Sequence, residues 1–105
     1  SGGVNIYPAE AEHILVRHPQ VADVAVLGVP NPEMGEEVKA LVVPADPANP
    51  PAPEELNAYC RMSLAGFKCP RSYDIVDDIG RTVMGKVNKK LLRQKYWPTE
   101  RTIGG

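Results

Sequence analysis

Hydrophobic positions along the chain fall into short blocks whose spacing switches between helical and alternating. Ser1 to Tyr7 reads as a glycine-bearing loop. Pro8 then stands where a helix would begin, with Glu10 and Glu12 in a first turn whose dipole favours acids. Ala11, Ile14, Leu15 and His18 follow the i, i+3, i+4, i+7 pattern of a stripe packed on a core, and Pro19 ends it. From Val21 to Gly28 the pattern alternates, with Val24 and Val26 on one face and Ala25 and Leu27 on the other. Apolar residues on both faces predict a strand covered on both sides. Val29-Pro30-Asn31-Pro32 is a predicted turn. Glu36 to Val43 is a second strand, with Val38, Ala40 and Val42 on one face and Lys39 and Leu41 on the other. The short connection favours an antiparallel pair, because a parallel pair needs a long crossover.

Pro44 to Pro53 holds five prolines and reads as a stiff surface loop. Pro53-Glu54-Glu55 opens a second helix, whose stripe is Leu56, Tyr59, Cys60 and Leu64, with Gly66 as its C-cap. A basic connector, Phe67 to Arg71, leads to a third strand over Tyr73 to Ile79, with Tyr73, Ile75 and Asp77 on one face. Asn88 is placed to cap a last helix running to about Tyr96 and ended by Pro98. Thr99 to Gly105 is expected to fray. The order helix, strand, strand, helix, strand, helix predicts an α+β fold: a small, mostly antiparallel sheet of about three strands with helices packed on it.

A length of 105 residues fits one domain, 1–105. Net charge is −1 with both signs interspersed, so no nucleic-acid or membrane-binding electrostatic face is expected. No apolar run approaches the roughly 20 residues of a membrane span. No basic start or initiator Met precedes Ser1, which reads as an internal cut in a longer protein. Cys60 and Cys69 lack metal-ligand spacing and are read as free thiols of a reducing, cytoplasmic compartment.

The chemistry concentrates at Gly80-Arg81-Thr82-Val83-Met84-Gly85-Lys86. Glycines at both ends allow backbone conformations closed to other residues. Lys86 is a point charge on a flexible stem, suited to phosphate and carboxylate oxygens. These seven residues also spell the start of a phosphate-binding P-loop. That reading is rejected. Val87 stands where the motif needs a magnesium-binding hydroxyl, too little chain follows Lys86, and the preceding strands look antiparallel. His13 and His18 are read as structural. Asp77 and Asp78 are adjacent on a predicted strand, so they point to opposite faces and suit no joint acid–base role.

Three stretches taken in order resemble the C-terminal domain of the adenylate-forming superfamily, which includes acyl-CoA synthetases, luciferases and peptide-synthetase adenylation domains. They are Ser1 to Glu12; Val24 to Val43 with its Gly28-Val29-Pro30 and Met34-Gly35-Glu36 turns; and Arg81-Thr82 with Gly85-Lys86-Val87, backed by Leu91-Leu92-Arg93. Gly-Gly-Val-Asn-Ile-Tyr-Pro resembles the CoA-ligase branch. The resemblance implies an ATP-dependent, AMP-forming acid–thiol ligase, acting on fatty or other hydrophobic acids. Lys86 would be its adenylation lysine, on a loop supported by Arg81, Thr82 and Gly85. Ser1, Gly2 and Gly3 would line the pantetheine channel of CoA, with Phe67 and Lys68 near its nucleotide. The domain would swing about a hinge to present these two faces in turn.

The implied substrates are a carboxylic acid, ATP and CoA. Magnesium is expected with ATP in the whole enzyme, and no metal site in this domain. The implied partner is an N-terminal domain that holds the ATP loop and the acyl pocket, without which this piece should be inactive. Peripheral membrane association of the whole enzyme is left open. Three departures from the family pattern stand out: Gly80 where a proline is usual, Cys69 where some relatives carry arginine, and Met34 where many carry an aromatic. Two other readings are carried: an adenylation domain that loads a carrier protein, and a non-catalytic interaction module.

Overall fold

The computed structural model describes residues 8–31, 33 and 35–96. The elements run α1 (Pro8–Leu15), β1 (Val21–Asn31), β2 (Gly35–Pro44), α2 (Pro53–Arg61), a 3-10 turn (Gly66–Lys68), β3 (Ser72–Ile75) and α3 (Lys89–Gln94). The strand order is β1-β2-β3. This is the expected α+β architecture, with one change in pairing. β1 and β2 are antiparallel, but β3 runs parallel to β2. The proline-rich loop and α2 together supply the long crossover that a parallel pair requires. The rejection of a P-loop therefore rests on Val87 and on the loop geometry described below, not on strand direction.

The alternation in β1 and β2 sorts side chains to two faces as predicted. Val24, Val26, Ala40 and Val42 meet Ala11 and Leu15 of α1 and Leu56 and Cys60 of α2. Ala25, Leu27, Val29 and Leu41 form a second core with Ile79 and with Leu92 of α3. A central sheet buried on both sides suits the valine-rich strands.

Several boundaries differ from expectation. β1 continues through Val29-Pro30-Asn31, pairing Pro30 with Glu36, instead of turning there. Pro30 is in phase with Val24 and Val26, whose backbone N–H groups point away from β2 and donate to side chains. β1 is an edge strand, so the missing N–H costs no ladder bond. β3 stops at Ile75, and Asp77 and Asp78 lie in the loop beyond it. Tyr73 packs on the first core, whereas Ile75 is exposed. α2 ends at Arg61 with Met62 as its cap, and Gly66 opens the 3-10 turn instead.

α1 ends at Leu15, and His18 lies in the turn after it. His18 is buried: Nδ1 accepts from the Gln20 N–H at 3.0 Å, and Nε2 faces Glu55 of α2 at 3.3 Å. Its ring also meets Tyr59 edge-on, which fits a structural histidine. Both cysteines are free and buried. Burial and the adjacent Cys69 push the Cys60 thiol up to about 12, which keeps it protonated and unreactive.

Candidate functional site

The outer edge of β1 organises the site. An unpaired strand edge offers N–H and C=O groups that need partners. Here side chains supply them. The Val24 N–H donates to Asp23 Oδ1 at 2.9 Å, and the Val26 N–H donates to Glu12 Oε2 of α1 at 2.8 Å. Arg93 Nε of α3 donates to the Gly28 carbonyl at 3.2 Å. Each of these carboxylates also takes a cation from the chain that follows β3. Arg81 pairs with Asp23, and Lys89 Nζ lies 2.7 Å from Glu12 Oε2. Arg93 Nη2 donates to Glu36 at 3.2 Å. The edge thus becomes the rail on which the lysine loop and α3 are mounted.

α3 is fixed further by its cap and its far end. Asn88 Oδ1 accepts from the Leu91 N–H at 3.1 Å, as its position before the helix predicts. Tyr96 donates its hydroxyl to Asp74 Oδ2 at 2.8 Å, and Lys39 Nζ donates to Asp74 Oδ1 at 3.1 Å. Burial alone would raise the Asp74 pKa, but these two hydrogen bonds and the lysine charge bring it below the usual range. The same hydroxyl is pushed up to about 12, by burial first and then by its bond to Asp74.

The loop carrying Lys86 is a closed turn rather than a loose hinge. The Thr82 N–H donates to the Lys86 carbonyl at 2.8 Å, and the Gly85 N–H donates to the Thr82 carbonyl at 2.8 Å. Thr82 Oγ1 accepts from the N–H groups of Met84 and Lys86, each at 3.2 Å. Gly85 takes φ of 84°, a conformation that L side chains rarely adopt. Gly80, at φ 72°, donates its N–H to Asp78 Oδ1 at 2.8 Å. Neither feature is open to a proline, so Gly80 sets the entry to the loop. The tip of the turn, Val83 and Met84, is exposed. Lys86 is held by its backbone N–H and C=O while its side chain is exposed, with no ion pair among the described residues.

The second group of predicted residues lies elsewhere. Phe67 is 67% exposed on the 3-10 turn, and Lys68 Nζ pairs with Glu10 of α1 at 3.2 Å. Glu10 serves Lys68, whereas Glu12 serves the β1 edge and Lys89. Two residues apart on a helix is about 200° of rotation, so the groups approach α1 from opposite sides. Ser1, Gly2, Gly3 and Met34 lie outside the described residues, as do Pro98 and the 99–105 tail. Cys69 is buried, donating weakly to the Ala65 carbonyl at 3.6 Å, so it presents no surface group.

Sequence reasoning singled out Arg81, Thr82, Gly85 and Lys86, which the structure gathers in one turn. It missed Asp23 and gave Glu12 only a dipole role. The available signal was two carboxylates with no apolar-face duty beside an edge strand.

Among the described residues, no group of three or more His, Cys, Asp or Glu is placed to hold a metal ion. Asp77 and Asp78 do not converge, since Asp78 accepts from its own loop. Among the described residues, no helix is long and apolar enough to cross a membrane.

Comparison with known proteins identifies the family. The chain is 41% identical over 95 residues to a fatty acid–[acyl-carrier-protein] ligase of Streptomyces coeruleorubidus, covering 90% of this chain and 18% of that one. It is 46% identical over 96 residues to a feruloyl-CoA synthase of an Amycolatopsis species, covering 91% and 19%. The solved structure of a Mycobacterium tuberculosis fatty acyl CoA synthetase superposes with a TM-score of 0.81 at 36% identity, over 91% of this chain and 19% of that one. The chain thus spans about a fifth of the length of the relatives it matches. Residues 10–86, ending on the lysine of the closed turn, match the model of the AMP-binding enzyme C-terminal domain, and the chain belongs to that family.

Proposed function

We propose that this chain is the C-terminal domain of an ATP-dependent, AMP-forming acyl-CoA ligase, and that Lys86 is its adenylation lysine. In the first step a carboxylate oxygen attacks the α-phosphorus of ATP and pyrophosphate leaves, giving an acyl-adenylate. In the second, the thiol sulfur of CoA attacks the acyl carbon, AMP departs and the thiol proton is released. Two anions must meet in the first step. A cation aimed at the oxygens between them lowers that barrier without moving at the moment of reaction. Lys86 suits this task because its backbone is pinned in a closed turn while its ammonium is exposed. That pairing of fixed backbone and exposed charge is the observation carrying the reading.

The second step uses another face. Phe67 offers a ring and Lys68 a cation for the CoA nucleotide, with Ser1, Gly2 and Gly3 admitting the pantetheine arm. Their approach to α1 from the side opposite the Glu12–Lys89 pair supports alternate presentation of two faces by domain rotation. The larger remainder of such an enzyme supplies the ATP loop, the acyl pocket and any magnesium held with ATP. The compartment proposed is the cytoplasm, and the acids proposed are fatty or other hydrophobic acids.

In the intact ligase, Lys86→Ala is expected to slow acyl-adenylate formation by about 10²–10³-fold. Thioester formation from supplied acyl-adenylate should stay nearly unchanged. Equal loss of both half-reactions, or of neither, refutes the role. A second reading, delivery of the acyl group to a carrier protein, is favoured by the 41% identity to the Streptomyces coeruleorubidus ligase. Free CoA failing as an acceptor where a carrier-bound thiol succeeds would decide for it.

A further inference from the structure

The turn that presents Lys86 has its own internal bonds, but these only make it a unit. They do not set where that unit sits on the domain. Among the described residues, a single side chain between Gly80 and Lys86 ties it to the sheet, and that is Arg81. Its three guanidinium nitrogens are all engaged. Nε donates to Asp23 Oδ2 at 2.5 Å and Nη2 to Asp23 Oδ1 at 2.7 Å. Nη1 donates to the Gly85 carbonyl at 2.5 Å. Asp23 is itself fixed, because Oδ1 also accepts the Val24 N–H at 2.9 Å.

We propose that Asp23 is a positioning residue for Lys86: through Arg81 it clamps the carbonyl of Gly85, the residue just before the lysine, to the edge of β1. This rests on the adenylation role of Lys86 and adds to it a residue in another element, 63 positions away along the chain. A bidentate guanidinium–carboxylate pair is planar and directional, so it transmits orientation as well as attraction. The pair is partly solvent-exposed, at 43% for the Arg81 side chain and 25% for Asp23. Such pairs contribute little to global stability. Their loss is felt where geometry matters, and a misplacement of about 1 Å at a reacting group costs on the order of 10²-fold in rate. Removing Asp23 leaves Arg81 without its anchor, so the closed turn can swing as a body while keeping its internal bonds.

The test uses the intact ligase with whichever of octanoate, palmitate and ferulate the unmodified enzyme activates fastest. Both half-reactions are measured for Asp23→Ala, Asp23→Asn, Lys86→Ala and the double variant Asp23→Ala/Lys86→Ala. Asp23→Ala should slow adenylation between about 10- and 100-fold and change thioester formation from supplied adenylate less than about twofold, with little change in the thermal midpoint. Asp23→Asn keeps one acceptor oxygen in place and should fall between Asp23→Ala and the unmodified enzyme. It carries the test if Asp23→Ala folds poorly. Because Asp23 acts through the lysine, the double variant should be no slower than Lys86→Ala alone. Adenylation unaffected by Asp23→Ala, equal loss in both half-reactions, or a double variant slower by the full product of the single effects would each overturn the proposal. Loss with Lys86→Ala but not with Asp23→Ala overturns this proposal alone, whereas no loss with Lys86→Ala overturns the parent reading as well.

Discussion

Gly80 opens an exposed loop, so replacing it with proline looks like a safe, rigidifying change. A proline whose φ is compatible stabilises by about 0.4–1 kcal/mol, because it restricts the unfolded chain. The structure predicts the opposite sign. Gly80 holds φ of 72°, while proline is locked near −65°. The substitution also deletes the N–H that donates to Asp78 Oδ1 at 2.8 Å. The lost bond is exposed and worth about 0.5–1 kcal/mol. Proline cannot take that φ, so the loop entry must shift, at a cost no smaller than the roughly 1–2 kcal/mol of a left-handed L residue, and the entropic gain offsets only part of the sum. The net expectation is a loss of about 2 kcal/mol, which in a domain of this size lowers Tm by roughly 8 °C. Gly80→Ala separates the two contributions. A Cβ there meets nothing within 4 Å and the N–H is kept, so only the dihedral cost of about 1 kcal/mol remains. Thermal unfolding followed by circular dichroism gives the ranking directly: unmodified above Gly80→Ala above Gly80→Pro. A Gly80→Pro domain that melts at or above the unmodified temperature refutes the left-handed loop entry.

Two further outcomes concern the body of the domain. Leu56 of α2 is fully buried in the first core, so Leu56→Ala should cost about 2–5 kcal/mol in urea unfolding, and a loss below 1 kcal/mol contradicts the packing. Hydrogen bonds from Arg81 to Asp23 and from Ser72 to Glu37 hold these carboxyls below their ordinary range. At Asp74 burial opposes, but the bonds from Tyr96 and Lys39 outweigh it and lower the pKa. Carboxyls with depressed pKa values bind fewer protons folded than unfolded, so their stabilisation is complete above about pH 5 and declines as pH falls below about 4. Urea midpoints between neutrality and pH 3 should drop on acidification, and a rise would contradict the sign.

Much of the framework is legible in the residue pattern because burial on two faces leaves a strong mark. Val24 and Val26 against Ala25 and Leu27 sort the strand faces correctly, and Val42 and Leu41 do the same for β2. The Asn88 cap is legible for a local reason, since its side chain serves its own helix. Strand direction at β3 is not a local property. It depends on counting the proline loop and α2 as one crossover. The strand ending at Asn31 is equally hidden, because Pro30 signals a turn unless its N–H side is known to face outward. Of the candidate site, Lys86 and its turn are visible in the glycine spacing. Asp23 is not, because its partner Arg81 lies far along the chain and nothing in the spacing of either residue reports the pair.

These particulars fit one division of labour. Acids on α1 and on the β1 edge satisfy backbone donors and at the same time seat the cations of the following loop and helix. A strand edge that would otherwise invite pairing becomes the mount for the Lys86 turn. The turn keeps its shape by its own bonds and its place by Arg81, and the Lys86 side chain is exposed.

The central claim is tested most directly by single-turnover release of pyrophosphate from the intact ligase bearing Lys86→Ala, with ATP and acid both saturating. The account predicts a rate lower by about 10²–10³-fold, with acyl transfer from preformed adenylate to CoA proceeding at the unmodified rate. Pyrophosphate released at the unmodified rate would contradict it.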